Sequence, residues 1–352
     1  MDKFLYKALP LRVRFEQGGR RHAGDEMDAI GRNRAMVLST PGRREQAEDV
    51  QAALGDSCVG VLATARMHSP VDVTEAAMGE LAKAGADCTI AVGGGSVIGL
   101  GKAIAVRQDI PQIALPTTYA GSEMTAVLGQ TENGVKTTSK DPRMLPVSVI
   151  YDVDYTLTLP PRISATSGMN AIAHAIEALY AQEKNPVSAM QCMEAIRSLA
   201  ESLPQIVEKP DDVAARRRAA YGAFLCGMAL GSAGMALHHK LCHALGGSFD
   251  LPHADTHTVV LPHAAGFNAR EARELDPVVD ILGADSVGGG LWDLARRMGA
   301  PTSLAEIGMP EDGIERAVEV ATANPYWNPR RFERHEIKEL IEQAYAGERP
   351  KN

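Results

Sequence analysis

Short apolar runs alternate with amphipathic stretches through the first half of the chain. AMVLS at 35–39 and SCVGVLAT at 57–64 read as buried strands, the first closed by Thr40-Pro41-Gly42. VTEAAMGELAKAG at 73–85 carries apolar residues at helical spacing and stops at a glycine, a common helix ending. CTIAVGGGS at 88–96 is a strand running into a glycine turn, VIGLGKAIAV continues as a helix, and PQIALPTT at 111–118 is a further strand. Strands alternating with helices predict a mostly parallel, doubly wound sheet. From about Ser164 the spacing turns helical almost everywhere, as in MNAIAHAIEALYAQ at 169–182, MQCMEAIRSLAESLPQIVE at 190–208 and AARRRAAYGAFLCGMAL at 214–230. The change follows DYTLTLPPR at 154–162, where Pro160-Pro161 can continue neither a helix nor a central strand. The pattern predicts an α/β domain over 1–161 and an all-helical domain over 162–352.

Composition narrows the class. The 352 residues are 45% hydrophobic and 23% charged, ordinary for a globular protein, with a net charge of −8. An acidic chain repels phosphate backbones, so nucleic acid is not an expected partner, whereas a local basic pocket can still take a small anion. Basic residues interrupt the apolar stretches of MDKFLYKALPLRVRF, and no run is long enough to span a bilayer, so neither a signal peptide nor a membrane is expected. Cys58, Cys88, Cys192, Cys226 and Cys242 are odd in number and form no CxxC, which predicts reduced thiols and a cytoplasmic location.

Two turns carry candidate cofactor chemistry. Gly93-Gly94-Gly95-Ser96 lies between a predicted strand and a predicted helix, where glycines admit a ligand close to the backbone and the helix N-terminus attracts a pyrophosphate. The motif is not GxGxxG. Pro116-Thr117-Thr118-Tyr119-Ala120-Gly121-Ser122-Glu123-Met124-Thr125 follows a neighbouring strand, at the strand end where open α/β sheets bind ligands. Thr40, Gly94, Gly95, Ser96, Thr117, Thr118 and Ser122 are the expected cofactor contacts. No acidic residue that would bond a ribose hydroxyl stands after AMVLS, and Arg43 and Arg44 follow it. NADH is expected, and NADPH is left open.

The second half holds a histidine cluster. Seven of the ten histidines fall between 174 and 263, six of them in HHKLCHALGGSFDLPHADTHTVVLPH. Such density points to metal binding or proton chemistry. His239 and His243 are four apart and share a helix face, as do Asn170 and His174. The density favours a role for the group, with His257 or His238 individually left open as a bystander. A divalent metal site wants a carboxylate to balance charge, and the position four before His174 is the neutral Asn170. Asp250 and Asp255 are near in sequence but are expected to cap or to face solvent.

The GGGS turn, the PTTYAGSE turn, the NAIAHAIE helix, and HxxxHxLGG followed by PH and LPH together resemble the iron-containing alcohol dehydrogenases, in family order over about 35–268. The resemblance implies a dinucleotide-binding domain, an all-helical domain, an active site in the cleft between them, and a homodimer. Metal-using members hold iron or zinc with one Asp and three His. The matching positions are Asn170, His174, His239 and His253, while His243 matches a histidine beside the reacting groups. The usual PHG is PHA at His253-Ala254. Loss of the carboxylate implies that no metal is bound.

Longer strings resemble one branch of that family, reductases of a conjugated carbon–carbon double bond in a small dicarboxylate from aromatic-compound breakdown. They are FLYKALPLRVRFEQG, ARMHSPVDVT at 65–74, ALPTTYAGSEMT, HHKLCHALGGSFDLPHADTHTVVLPH and NPYWNPRRF at 324–332. Conjugation already spreads the charge that a metal would otherwise stabilise, so hydrogen-bond donors suffice. The resemblance then assigns proton transfer and enolate stabilisation to His243 and His253. Asn170, His174, His239, Lys240 and Tyr119 would bind and orient the dicarboxylate, with Arg162 and Arg330 as lesser carboxylate partners. Three other readings compete: a metal-dependent alcohol or polyol dehydrogenase on the same scaffold, a lyase resembling dehydroquinate synthase, and a non-catalytic ligand or metal sensor. Asn170 speaks against the first, the lack of phosphate-binding lysines against the second, and the paired cofactor turns against the third.

Overall fold

The computed structural model describes residues 3–67, 69–132 and 135–351; His68, inside the ARMHSPVDVT string, lies outside them. The chain divides into two units, one of residues 8–159 and one of residues 160–351, with which residues 3–7 cluster. Each is built around its own apolar core.

Among the described residues the first unit has eight strands: β1 (Arg12–Phe15), β2 (Ala35–Leu38), β3 (Cys58–Leu62), β4 (Cys88–Gly93), β5 (Gln112–Pro116), β6 (Val127–Glu132), β7 (Val135–Lys140) and β8 (Ser148–Tyr151). Six form one parallel sheet in the order β1-β8-β5-β4-β2-β3, and β6 and β7 make a separate antiparallel pair. Its four helices are α1 (Ala23–Ala29), α2 (Arg44–Leu54), α3 (Val71–Ala84) and α4 (Gly95–Gln108). β2, β4, β5 and β8 are buried along their whole length. That is why they read as continuous apolar runs rather than alternating ones. The edge strand β1 alternates Arg12 and Arg14 with the exposed Val13 and Phe15, and both arginines reach the buried Glu26.

The second unit is helical: α5 (Pro161–Tyr180), α6 (Pro186–Glu208), α7 (Val213–Ser232), α8 (Leu237–Phe249), α9 (His253–Asn268), α10 (Asp276–Leu282), α11 (Val287–Arg297), α12 (Ile314–Ala323) and α13 (Arg334–Ala346). Pro161 is the first residue of α5. A proline fits there because its φ suits a helix start and the missing N–H would have had no partner. The Pro-Pro pair therefore opens a helix, and the division falls after Leu159. No single helix among the described residues is long and apolar enough to cross a membrane.

Candidate active site

α5 is buried on all sides from Ser164 to Tyr180. Every polar side chain on it must therefore find a partner or serve a ligand. Asn170, His174 and Glu177 stand at i, i+4 and i+7 and so share one face. Glu177 is fully buried. Its carboxylate accepts the backbone N–H groups of Ala236 and His238, both at 2.8 Å, and meets His239 Nδ1 at 2.7 Å. An ionised carboxylate only accepts, so His239 donates from Nδ1 and keeps Nε2 for a ligand. The same carboxylate caps the start of α8, which has no side-chain cap of its own.

Around this anchor the histidines stack. His174 lies over His239 with ring centroids 5.2 Å apart. His239 meets His238 and His257 edge-on at 5.1 and 5.0 Å, and His253 tilts against His257 at 4.3 Å. His238 and His257 are thus part of the cluster, and their facing nitrogens, Nε2 and Nδ1, are 3.0 Å apart. Burial pushes the His174, His238 and His257 imidazoles well below the usual histidine range, so all three are neutral at neutral pH. Asn170 Oδ1 and His174 Nδ1 are buried without a hydrogen-bond partner among the described residues.

His243, Tyr326 and Lys240 meet at the exposed edge of the cluster. His243, one turn after His239, places Nδ1 3.1 Å from the Tyr326 hydroxyl. Lys240 Nζ sits 5.6 Å from the centre of the Tyr326 ring. Burial, and then the charge of Glu177, raise the Tyr326 phenol above its ordinary value, so it holds its proton. Neither Glu177 nor Tyr326 was assigned a role from the sequence. The two arginines offered for carboxylate binding have other partners: Arg162 bonds Asp255 at 2.8 Å, and Arg330 bonds Glu336 and the Phe267 carbonyl while stacking on the Phe267 ring. Asp255 is spent on Arg162, and Asp250 ends α8 in a left-handed conformation.

In the nucleotide unit the two predicted turns lie side by side. Thr117 N–H donates to the Gly93 carbonyl at 3.1 Å. A Cβ on Gly94 would come within 2.9 Å of Thr118 Cγ2, whereas one on Gly95 would meet nothing within 4 Å. Gly94 stands at the N-cap of α4 and Ser96 in its first turn, so the cradle combines close backbone approach, open space and a positive helix end. Thr40 closes β2 at the same strand end. Lys102, buried in α4, was not foreseen. Its Nζ donates to the Ser122 and Val127 carbonyls at 2.7 and 2.9 Å and to Thr125 Oγ1 at 2.8 Å, tying the helix to the second turn. Burial lowers it to about 7. Tyr119 is buried in the same unit.

The cradle fits the pyrophosphate of a dinucleotide. Asn170 supplies a neutral amide where the family has a carboxylate. Among the described residues the ligand atoms of His174, His239 and His253 do not gather within 4.8 Å of one another.

Known proteins agree with the fold. Residues 10–153 match the iron-containing alcohol dehydrogenase model, and residues 164–345 match its C-terminal counterpart. The chain is 50% identical to the maleylacetate reductases of Rhizobium sp. (strain MTP-10005) and Burkholderia cepacia, over 99% of this chain and all of each relative. The crystal structure of the maleylacetate reductase from Agrobacterium tumefaciens is 50% identical and superposes with a TM-score of 0.96, covering 99% of this chain and all of that one. A sulfoacetaldehyde reductase from Bifidobacterium kashiwanohense, solved with NAD+, shares the fold at 22% identity and a TM-score of 0.88 over 98% of this chain and 99% of its own. The chain belongs to the iron-containing alcohol dehydrogenase family.

Proposed function

We propose that this chain reduces the conjugated double bond of maleylacetate to 3-oxoadipate with NADH and without a metal ion. The observation that carries the substrate is full-length likeness, at 50% identity, to relatives named for it. The metal-free reading is supported by the donor set: an amide at Asn170, and three histidines whose ligand atoms do not converge.

Gly94, Gly95, Ser96, Thr117, Thr118, Ser122 and Thr40 would hold the dinucleotide, with Lys102 locking the second turn against α4. When bound, the dihydronicotinamide supplies a hydride, which is taken up at the alkene carbon beta to the ketone. Charge then develops on the ketone oxygen, and a proton must reach the alpha carbon. His253 faces the developing oxyanion, and His239, oriented by Glu177, presents Nε2 as an acceptor that orients the substrate. The His243–Tyr326 pair gives up the proton, and Lys240 favours the anionic substrate. Asn170 Oδ1 can only accept a hydrogen bond, so a substrate carboxylate is met by the Asn170 amide N–H and by His174, which, being neutral, acts as a hydrogen-bonding group and not as a charge. Tyr119 contributes from the second turn. Arg43 bonds Thr158 and Arg44 bonds Glu48, so a 2′-phosphate would have to draw one of them away, which supports NADH over NADPH.

The free cysteines fit a cytosolic protein, and the exposed Val13 and Phe15 on edge strand β1 support a homodimer. The deciding assay is NADH oxidation with maleylacetate, with and without chelator. Turnover that survives the chelator is expected; chelator-sensitive oxidation of simple alcohols, with no maleylacetate reduction, would overturn the proposal.

A further inference from the structure

One group of three metal-ligating side chains does converge among the described residues, and it is not at the family's metal position. His238 and Cys242 lie one turn apart on α8, and His257 faces them from α9. Their ligand atoms all fall within 4.8 Å of one another. His238 Nε2 is 3.0 Å from His257 Nδ1 and 3.6 Å from Cys242 Sγ. An ion bonded at about 2.1 Å to nitrogen and about 2.3 Å to sulfur in tetrahedral geometry spaces its donors by roughly 3.3–3.6 Å. The three side chains are close to that spacing and are 0–3% exposed. From these contacts we infer that His238, Cys242 and His257 form an inhibitory site for a soft transition-metal ion of the zinc or copper(I) class.

Two imidazoles and one thiol suit such ions and disfavour magnesium or calcium. Binding forms three metal–ligand bonds. The thiol proton leaves to solvent, the imidazole that donates across the His238–His257 contact shifts its proton to its outer nitrogen by exchange with solvent, and each neutral imidazole then carries its single proton on the nitrogen facing away from the ion. Those nitrogens, His238 Nδ1 and His257 Nε2, have no hydrogen-bond partner among the described residues, so they are available to carry it. Without a partner behind each ligand, affinity is lower than at a dedicated site, by about 10–100-fold. The carboxylate of Glu177, bonded to the His238 backbone, offsets part of the ion's charge. Because the cluster is closed, entry requires α8 and α9 to open locally, so occupation is slow. Once bound, the ion places positive charge beside His239 and fixes two rings that pack on it.

Cobalt(II) titrated into the full-length protein, with neither substrate nor cofactor present, tests the site apart from the reaction. One equivalent is expected to bind and give a near-ultraviolet thiolate-to-cobalt band, which Cys242→Ser abolishes while its far-ultraviolet circular dichroism stays unchanged. The family's metal position contains no sulfur, so occupation there gives no such band. X-ray absorption on zinc-loaded wild type needs no variant: one sulfur at about 2.3 Å supports the site, and a shell of nitrogen and oxygen alone overturns it. A band that persists in a folded Cys242→Ser also overturns it. The inhibitory role rests on the proposed reduction and is read separately: zinc should lower wild-type turnover at least about tenfold and spare Cys242→Ser. Zinc that binds without slowing turnover refutes inhibition and leaves the site standing.

Discussion

Glu177→Gln is the most informative single change in the cluster. The native carboxylate serves three donors: Oε2 takes Ala236 N–H and His239 Nδ1–H, and Oε1 takes His238 N–H. A glutamine has one accepting oxygen and one donating nitrogen. Its better orientation puts the oxygen toward Ala236 and His239 and the amide nitrogen against His238 N–H, where two donors face each other 2.8 Å apart. Leaving a buried N–H unpaired costs about 1–3 kcal/mol, and exchanging charged for neutral acceptors at the other two contacts weakens each bond roughly twofold. The sum is about 3 kcal/mol of stability, within the range for disrupting a buried charged network. His239 also loses the partner that fixes its tautomer, which predicts a fall in kcat/KM of about 10²-fold, equivalent to about 2.7 kcal/mol. Urea denaturation followed by circular dichroism checks the first figure, and NADH oxidation with maleylacetate checks the second. The loss should fall on kcat with little change in the KM for NADH, because the cofactor cradle lies in the other unit. A Glu177→Gln protein with unchanged denaturation midpoint and wild-type kcat would refute the view that this carboxylate anchors α8 and orients His239.

Three further outcomes follow from the same geometry. His243→Ala and Tyr326→Phe should each lower kcat by about 10²-fold, and the double variant should be scarcely worse than either, because the two groups act as one donor; additive losses in a double-mutant cycle would separate them. Gly95→Val should raise the KM for NADH at least about tenfold while leaving the denaturation midpoint nearly unchanged, since a Cβ there meets nothing within 4 Å and the added side chain fills the open space of the cradle; dinucleotide titration reads this directly. Acid should destabilise the helical unit below about pH 6.5. His263 is buried, both ring nitrogens lack partners among the described residues, and burial lowers it to about 4. The unfolded chain therefore binds the proton first, and His263 alone takes away about 1.4 kcal/mol of stability per pH unit from about 6.5 down to about 4, on top of the loss from the buried His174, His238 and His257. His263→Leu should flatten that slope in urea titrations at several pH values; an unchanged slope would assign the acid sensitivity elsewhere.

What the sequence made legible follows from how local each signal is. The cofactor turns stood out because strand, glycine turn and helix are contiguous, and the structure places Gly94 against Thr118 as neighbouring strand ends require. β1, β6, β7 and β8 were missed, and in β1 RVRF looks polar when its arginines in fact serve a buried glutamate. Glu177 was passed over as an ordinary helix glutamate. A signal was present: it falls seven residues after Asn170 on a helix with no polar face, where a carboxylate must be capping or binding something. Tyr326 had no such signal, because it lies 83 residues from His243 in a loop, and only tertiary structure brings its hydroxyl to the imidazole. Arg162 and Arg330, offered as lesser carboxylate partners, are found paired with Asp255, which lies far from Arg162 in sequence, and with Glu336, which lies within the separate helix α13. The histidine cluster itself sharpened most. Residue counting pointed to one site and left His238 and His257 individually open as bystanders. In the structure His243 and Tyr326 meet at the exposed edge, while His238, Cys242 and His257 gather in the buried interior.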